Sequence, residues 1–232
     1  ALAAVLKPEG GMGLMLYATL GRSGVYPVQN ALKALTGGDG TADQVTLAKD
    51  LLKELPPSHW FNRNPMLGDH KLGEDAALYD LLLHPRDRAY LVPEIIELLD
   101  SAGMALLGFI EPVRYEPETY LKDKELRKRA RELDDADRAA LAENLAGTIK
   151  THSFYIRKKT GTAPGVAAFD PQMIPILKEG KAEPLARALM GKTVLTVNFD
   201  SVATRIDIPE HSPEFVRLLD GKRSLRDIQA FP

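Results

Sequence analysis

The sequence predicts an α/β domain followed by a smaller α+β domain. Near its start, the apolar run from Met12 to Tyr17 comes after Pro8 and Gly10, residues that end a helix. The run shows no two-residue polar alternation, which is typical of a strand covered on both faces in a mostly parallel sheet. Helical spacing of apolar residues follows, and after Arg157 the pattern changes to short helices and two strand-like runs.

The elements after this strand are mainly helical. Apolar spacing predicts a helix over residues 27–35, and a capping box of Thr41 with Gln44 predicts a second helix that runs to about Leu55 and ends at a Pro-Pro pair. Residues 58–75 form a long polar stretch, which is typical of a lid over a binding site or of a disordered segment. An apolar helix then ends near Pro85, and the mixed charges of residues 121–145 indicate a solvated helical face.

The C-terminal region shows the pattern of a small α+β unit. Two strand-like runs, residues 193–199 and 202–208, are separated by Asp200-Ser201 and predict a hairpin. A helix is expected from Ser212, and Ser224 with Asp227 predicts a capped last helix.

Composition excludes several kinds of chemistry. The 232 residues include no cysteine, which rules out disulfides, thiolate metal sites and cysteine nucleophiles, and favours the cytoplasm. A net charge of -2 predicts no nucleic-acid partner and no attraction to an anionic membrane. No charge-free run is long enough to span a bilayer. The histidines are scattered without HxxxH spacing, so we expect no metal site.

Three segments carry a family resemblance. The run AVLKPEGG, residues 4–11, with the strand after it resembles the region between the fourth and fifth strands of class I S-adenosylmethionine-dependent methyltransferases. Residues 102–111 resemble the sixth strand of that family, and residues 152–157 resemble the seventh. The resemblance implies that residues 1–160 hold the late strands and inserted helices of a Rossmann-like methyltransferase domain.

The same resemblance implies an incomplete enzyme. The glycine-rich loop and the ribose-binding acidic residue of the family have no counterpart here, and neither GxGxG nor GxGxxG occurs. We therefore expect S-adenosylmethionine as the cofactor, its binding residues mostly upstream of Ala1, and a chain that is inactive alone. Residues 161–232 are expected to be an accessory domain, whose 218–228 segment resembles winged-helix-like domains that follow some methyltransferases.

Two residues are candidates for catalysis. Methyl transfer needs an acceptor lone pair aligned behind the methyl group, and a base where the acceptor carries a proton. His84 is the candidate base, and Asp87 the residue that orients it. The alternative is a surface histidine, with Asp87 paired to Arg86 or Arg88.

Further residues are candidates for substrate binding. Arg22 and Tyr26 lie in the loop after the first strand, where ligands bind at the edge of such a sheet. An arginine grips a carboxylate or phosphate through two hydrogen bonds. Tyr17 is expected to face the methyl group or to fill the core, and Arg86 and Arg88 complete the predicted substrate-binding set.

Three functions agree with these patterns. The first is methyl transfer to a small molecule, with an insertion around residues 69–90 that shapes the acceptor pocket. The second is methyl transfer to a protein side chain such as lysine, with the C-terminal domain docking that protein. The third is a non-catalytic binding or regulatory module derived from a methyltransferase.

Overall fold

The structure divides into two compact units, residues 1–163 and 164–232. It is a computed structural model, and it describes residues 2–36, 44–68, 75–162, 168–199 and 202–230. The helices of the first unit are α1 (Leu2–Val5), α2 (Val25–Thr36), α3 (Gln44–Glu54), α4 (Trp60–Arg63), α5 (Asp75–Leu82), α6 (Val92–Ser101), α7 (Lys124–Arg131) and α8 (Asp135–Ala146). Its strands are β1 (Gly11–Ala18), β2 (Ala89–Tyr90), β3 (Met104–Phe109) and β4 (Thr151–Lys158).

The four strands form one mixed sheet in the order β2, β1, β4, β3. Strand β1 runs antiparallel to β4 along most of its length, with Met12 opposite Ile156 and Leu14 opposite Phe154. It runs parallel to β2 at Tyr17 and Ala18. Strand β3 runs antiparallel to β4 on the far side.

The expected mostly parallel sheet, with β1 covered on both faces, is wrong. Alternate residues of β1 are exposed, and Met15 is 55% accessible to solvent. Gly11 and Gly13 share this exposed face. Glycine and methionine carry no charged or strongly hydrogen-bonding side chain. The exposed positions of this strand are therefore not polar, and the sequence shows no alternation of polar and apolar residues.

The buried face of the sheet packs against helices α1 and α6. Ile95 and Leu99 of α6 meet Phe154 and Ile156 of β4 in one apolar cluster, against which Leu14 of β1 also packs. Helix α6 has apolar residues at helical spacing, and Glu94 caps its first turn by accepting a hydrogen bond from the backbone N–H of Leu91 at 2.7 Å. Burial of this stripe holds α6 on the sheet.

Helices α2 to α5, which follow β1 and precede β2 along the chain, form a separate apolar cluster. The two predicted helices are confirmed as α2 and α3, whose apolar stripes meet α5, whereas the predicted cap at Thr41 lies outside the described residues. The core residues of this cluster are Val25, Val28, Leu32, Ala48, Phe61, Leu67, Leu78, Leu81 and Leu82. The predicted lid contains helix α4, on which Phe61 is buried and Trp60 is exposed, whereas residues 69–74 lie outside the described part.

Helices and one antiparallel pair of strands make up the described part of the second unit. Its elements are α9 (Ala182–Leu189), β5 (Val194–Phe199), β6 (Val202–Asp207), α10 (Ser212–Leu218) and α11 (Leu225–Gln229). The predicted cap is confirmed, since Ser224 accepts a hydrogen bond from the N–H of Asp227 and the Asp227 carboxylate accepts from the N–H of Ser224. The expected turn at Asp200-Ser201 lies outside the described residues.

Helix length and hydropathy determine whether a helix can span a membrane. Within the described ranges, no helix is both long enough and apolar enough to cross a bilayer.

Candidate functional site

The loop after β1 passes very close to the segment that leads into β4. The N–H of Gly21 donates to the carbonyl of Ile149 at 3.0 Å. A Cβ atom at Gly21 would lie 2.2 Å from that same oxygen, so glycine is required here by close approach of two backbones. This approach places Arg22, the next residue, beside the carboxyl end of β1.

We expect Gly21→Ala to lower the free energy of unfolding by about 3 kcal/mol, because backbone atoms must separate to admit the methyl group. The measurement is urea unfolding followed by circular dichroism. Gly68→Ala is the matched control, since no atom lies within 4 Å of a Cβ built there. Equal losses in the two variants would show that the close approach at Gly21 does not constrain the fold.

Arg22 forms a buried ion pair with Asp87. The guanidinium Nη2 donates to Oδ2 of Asp87, and the two side chains are 5% and 1% exposed. The same oxygen accepts a hydrogen bond from Nε2 of Gln29 at 2.8 Å, while the hydroxyl of Tyr26 lies 3.4 Å from the other. The guanidinium carbon of Arg22 lies 3.9 Å from the ring centroid of Tyr17, in cation–π contact. The pair therefore fixes the position of the guanidinium over this ring.

Gln29 connects this pair to α5. Its Nε2 donates a second hydrogen bond to the carbonyl of Leu81 at 3.0 Å, and the residue is buried. One amide thus links α2, α5 and the turn that carries Asp87. Sequence reasoning missed Gln29, although its position between Val25, Val28 and Leu32 on the apolar stripe of α2 was a signal, because buried polar side chains need partners.

A cavity of about 230 Å³ opens beside the ring of Tyr17, and we name it the Tyr17 cavity. Its polar lining includes Arg22, Asp80, Lys150 and Thr151, and the Tyr17 hydroxyl donates to Oδ2 of Asp80 at 3.2 Å. Leu67, Ala77 and Leu81 form its apolar wall. Sequence reasoning missed Asp80, Lys150 and Thr151, which are distant in sequence from the β1 loop.

A second cavity, of about 330 Å³, lies between α2 and α5, and we name it the His84 cavity. Apolar side chains of Leu32, Leu82 and Leu83 line it, together with Tyr79 and His84. Gln29 also lines it, so the amide that holds Asp87 forms part of its wall.

The structure divides the predicted site residues between two places. Tyr17, Arg22, Tyr26 and Asp87 come together at the end of β1. His84 instead lines the other cavity, where its Nδ1 accepts a hydrogen bond from the backbone N–H of Arg86 at 3.2 Å.

The predicted pairing of Asp87 with His84 is therefore corrected. The Asp87 carboxylate faces Arg22, Gln29 and Tyr26 because a buried carboxylate is stable where a cation and hydrogen-bond donors surround it. The alternative pairing with Arg86 or Arg88 is also not observed. Arg86 is exposed, and Arg88 pairs with Glu94 at 3.3 Å and lies over the ring of Tyr90.

His152 belongs to a buried polar network behind the site. Its Nδ1 lies 2.9 Å from the hydroxyl of Tyr115, and its Nε2 hydrogen-bonds the carbonyl of Tyr90 at 3.1 Å. Oε1 of Glu143 lies 3.2 Å from the same Nε2, and Oε2 accepts from the N–H of Val92 at 2.8 Å. The network joins β2, β4, α6 and α8.

Burial controls the ionisation of the phenols near the site. It raises the pKa of Tyr17 and of Tyr26, and the nearby carboxylates of Asp80 and Asp87 raise each further by repelling a phenolate. Burial also raises the pKa of Tyr115 far above its ordinary value. The three hydroxyls therefore stay protonated near neutral pH and act as hydrogen-bond donors.

These shifts predict a loss of stability in alkali. Because the folded-state pKa values are raised, above about pH 10 the unfolded chain binds fewer protons than the folded chain, so the free energy of unfolding falls as pH rises. The measurement is urea unfolding across this pH range, with phenolate absorbance recorded in parallel. Tyr115→Phe should flatten the pH dependence, and an unchanged slope in this variant would contradict the assignment to Tyr115.

Comparison with known proteins identifies a shared fold but does not assign the chain to a family. No family model matches the chain. An uncharacterized protein of Synechococcus, syc1184_c, is 26% identical over 164 residues, which cover 67% of this chain and 38% of that protein.

A solved structure resembles most of the chain. PKMT2 from Rickettsia typhi in complex with AdoHcy aligns with 97% of the chain at a TM-score of 0.50 and 11% identity. This chain shares its fold. A further structure of PKMT2 aligns at a TM-score of 0.49 and 14% identity. The chain spans 66% and 50% of the lengths of these two proteins, and 38% of the Synechococcus relative.

Proposed function

We propose that this chain forms part of an S-adenosylmethionine-dependent methyltransferase whose acceptor, a small molecule, binds in the Tyr17 cavity. The observation that carries the proposal is the fold shared over 97% of the chain with PKMT2, which was solved in complex with AdoHcy. AdoHcy is the product that S-adenosylmethionine becomes after it gives up its methyl group.

The residues of this chain fit part of such a site. The Tyr17 cavity, about 230 Å³, is smaller than the roughly 300–1,000 Å³ of sites that enclose a drug-sized ligand, and the chain has no glycine-rich GxGxG loop. On these two grounds we propose that the Tyr17 cavity does not hold the whole cofactor. We propose that most of the cofactor-binding residues lie outside this chain, and we assign no catalytic step to the cofactor here.

The roles that we propose for this chain concern the acceptor. Arg22, fixed by Asp87 and flanked by Tyr26, binds an anionic group of the acceptor, and the neutral hydroxyl of Tyr17 donates to Asp80 and holds that carboxylate at the cavity. Asp80, at the mouth of the Tyr17 cavity, is placed to accept a proton from a protonated acceptor. His84 has this role if the acceptor binds in the His84 cavity instead.

Methyl-transfer assays on the full-length protein distinguish the two cavities. Tyr17→Phe removes a hydroxyl from the Tyr17 cavity, and Tyr79→Phe removes one from the His84 cavity. Loss of kcat/KM in Tyr17→Phe but not in Tyr79→Phe supports the proposed acceptor site. The opposite pattern moves the acceptor to the His84 cavity, where His84 is the candidate base.

Cofactor binding is the first test. Isothermal titration calorimetry with S-adenosylhomocysteine is performed on the full-length protein and, separately, on this chain. Micromolar binding to the full-length protein alone supports the proposal and places the cofactor site mainly outside these residues. No binding to either protein overturns it and favours a non-catalytic module.

A protein acceptor, such as a lysine side chain, is the second candidate. The second unit exposes several large apolar side chains, and such surfaces mark sites of protein interaction. They include Phe169, Ile174, Ile176, Met190 and Phe215. Methylation of a protein from the same cell that is lost when residues 164–232 are deleted, with small acceptors unmethylated, would favour this candidate.

A further inference from the structure

The Tyr17 cavity presents charges of both signs around one aromatic ring. The guanidinium of Arg22 lies over the face of the ring, and the carboxylate of Asp80 accepts a hydrogen bond from its hydroxyl. We infer that this cavity binds a small zwitterion with an ammonium and a carboxylate group. This chemistry is shared by free α-amino acids and by the aminoacyl end of S-adenosylmethionine.

Arg22 forms the carboxylate-binding end. Its Nη2 is engaged by Asp87, while its Nε is buried and has no hydrogen-bond partner among the described residues. Unpaired buried donors are rare, and this one belongs to a side chain that lines the cavity. The ion pair and the ring of Tyr17 hold the guanidinium still, so a carboxylate meets a preorganised cation.

Asp80 forms the ammonium-binding end. Its carboxylate makes no ion pair within the described part of the chain, and it is exposed at the cavity. The two ends together favour a zwitterion, because the charge of Arg22 is already balanced by Asp87. Lys150 adds a second cation to the lining, so the cavity presents the positive groups of Arg22 and Lys150 together with the carboxylate of Asp80, and a ligand that carries both signs matches it better than a simple anion or a simple cation.

The size of the cavity restricts the ligand. A volume of about 230 Å³ lies below the range of sites for drug-sized molecules, so it suits one amino acid or the aminoacyl part of a larger molecule. Leu67, Ala77 and Leu81 supply an apolar wall for its side chain.

The inference rests on the proposed function, because it names the chemical class of ligand that the proposed acceptor site binds. Its test measures ligand binding alone and does not require methyl transfer. Zwitterion binding to a full-length protein that neither binds S-adenosylhomocysteine nor transfers methyl groups would overturn the proposed function alone. Methyl transfer without zwitterion binding at this cavity would overturn the inference alone.

The experiment titrates the full-length protein with four probes, using calorimetry and, for weak binding, ligand-observed NMR. L-Methionine carries both charges, L-methioninamide lacks the carboxylate, and N-acetyl-L-methionine lacks the ammonium. We expect L-methionine to bind about 10-fold to 100-fold more tightly than either analogue, because each analogue loses one charge-assisted hydrogen bond. S-Adenosylhomocysteine is the fourth probe and carries the same aminoacyl group.

Two matched variants on α5 test the ammonium end. Asp80→Asn should weaken L-methionine about 10-fold and leave the affinity for N-acetyl-L-methionine unchanged. Asp75→Asn, an exposed residue on the same helix that pairs with Lys49, should change neither affinity. Both substitutions are at the surface, so the fold is preserved, as circular dichroism would verify.

Several results overturn the inference. They are no binding of any probe at millimolar concentration, equal affinities for L-methionine and its two analogues, and unchanged L-methionine binding in Asp80→Asn. If S-adenosylhomocysteine displaces L-methionine and binds more tightly, the zwitterion is the aminoacyl end of the cofactor. If L-methionine binds and S-adenosylhomocysteine does not displace it, the zwitterion is a free amino acid.

Discussion

His152→Ala should lower the free energy of unfolding of the first unit by about 3–5 kcal/mol. Removing the imidazole leaves the hydroxyl of Tyr115 without its buried partner, takes one of two hydrogen bonds from the carbonyl of Tyr90, and leaves the buried Glu143 carboxylate with the N–H of Val92 but without the imidazole. It also creates a cavity at a side chain that is fully buried. The measurement is urea unfolding of the chain, followed by far-ultraviolet circular dichroism.

Ser153→Ala is the matched control for this substitution. Ser153 is the next residue of β4 and lies on its other face, so its replacement should change stability by no more than about 0.5 kcal/mol. A loss below about 1 kcal/mol in His152→Ala would show that the network is not a major source of stability.

Asp87→Ala should produce a loss of similar size, about 3–5 kcal/mol. The substitution leaves the guanidinium of Arg22 buried without a counterion, and it removes an acceptor from Gln29. The same variant should lose affinity for any ligand of the Tyr17 cavity, because Arg22 is no longer fixed over the Tyr17 ring. Unfolding and ligand titration on the same preparation measure both effects.

Asp100→Ala provides the control for the loss of an ion pair as such. Asp100 pairs with Lys159 at 2.9 Å, but both side chains are half exposed, and such pairs contribute about 0–1 kcal/mol. The double variant Arg22→Met, Asp87→Leu should recover part of the stability, since apolar residues replace a buried ion pair at small cost. A double variant less stable than Asp87→Ala would contradict this account.

Local sequence signals predicted the positions of most elements. Pro8 and the two glycines after it mark the start of β1, and the Pro56-Pro57 pair marks the end of α3, because these residues restrict the backbone whatever surrounds them. Helix α6 has apolar residues at strong 3.6-residue spacing, which is a local signal of the same kind.

Pairings between distant residues were not predictable in the same way. The Arg22–Asp87 pair joins residues 65 positions apart, whereas the sequence places His84, Arg86 and Arg88 within three positions of Asp87. Proximity along the chain therefore suggested local partners, and packing of α2 against α5 selected a distant one. Glu143 likewise lies on the small-residue stripe of α8 with Ala139 and Ala142, where a carboxylate is stable only with partners from other elements.

The edge of β1 has a consequence for amide exchange with solvent. Strand β1 pairs with β4 along nearly its whole length, but β2 covers its other edge only at Tyr17 and Ala18. The N–H groups of a strand point alternately to its two sides. Within residues 11–16, one set of alternate amides therefore faces β4, and the other set faces the edge that β2 does not cover in the described sheet. Deuterium should therefore enter this strand in two interleaved phases, and slowing of the fast phase would report that another strand has added to this edge.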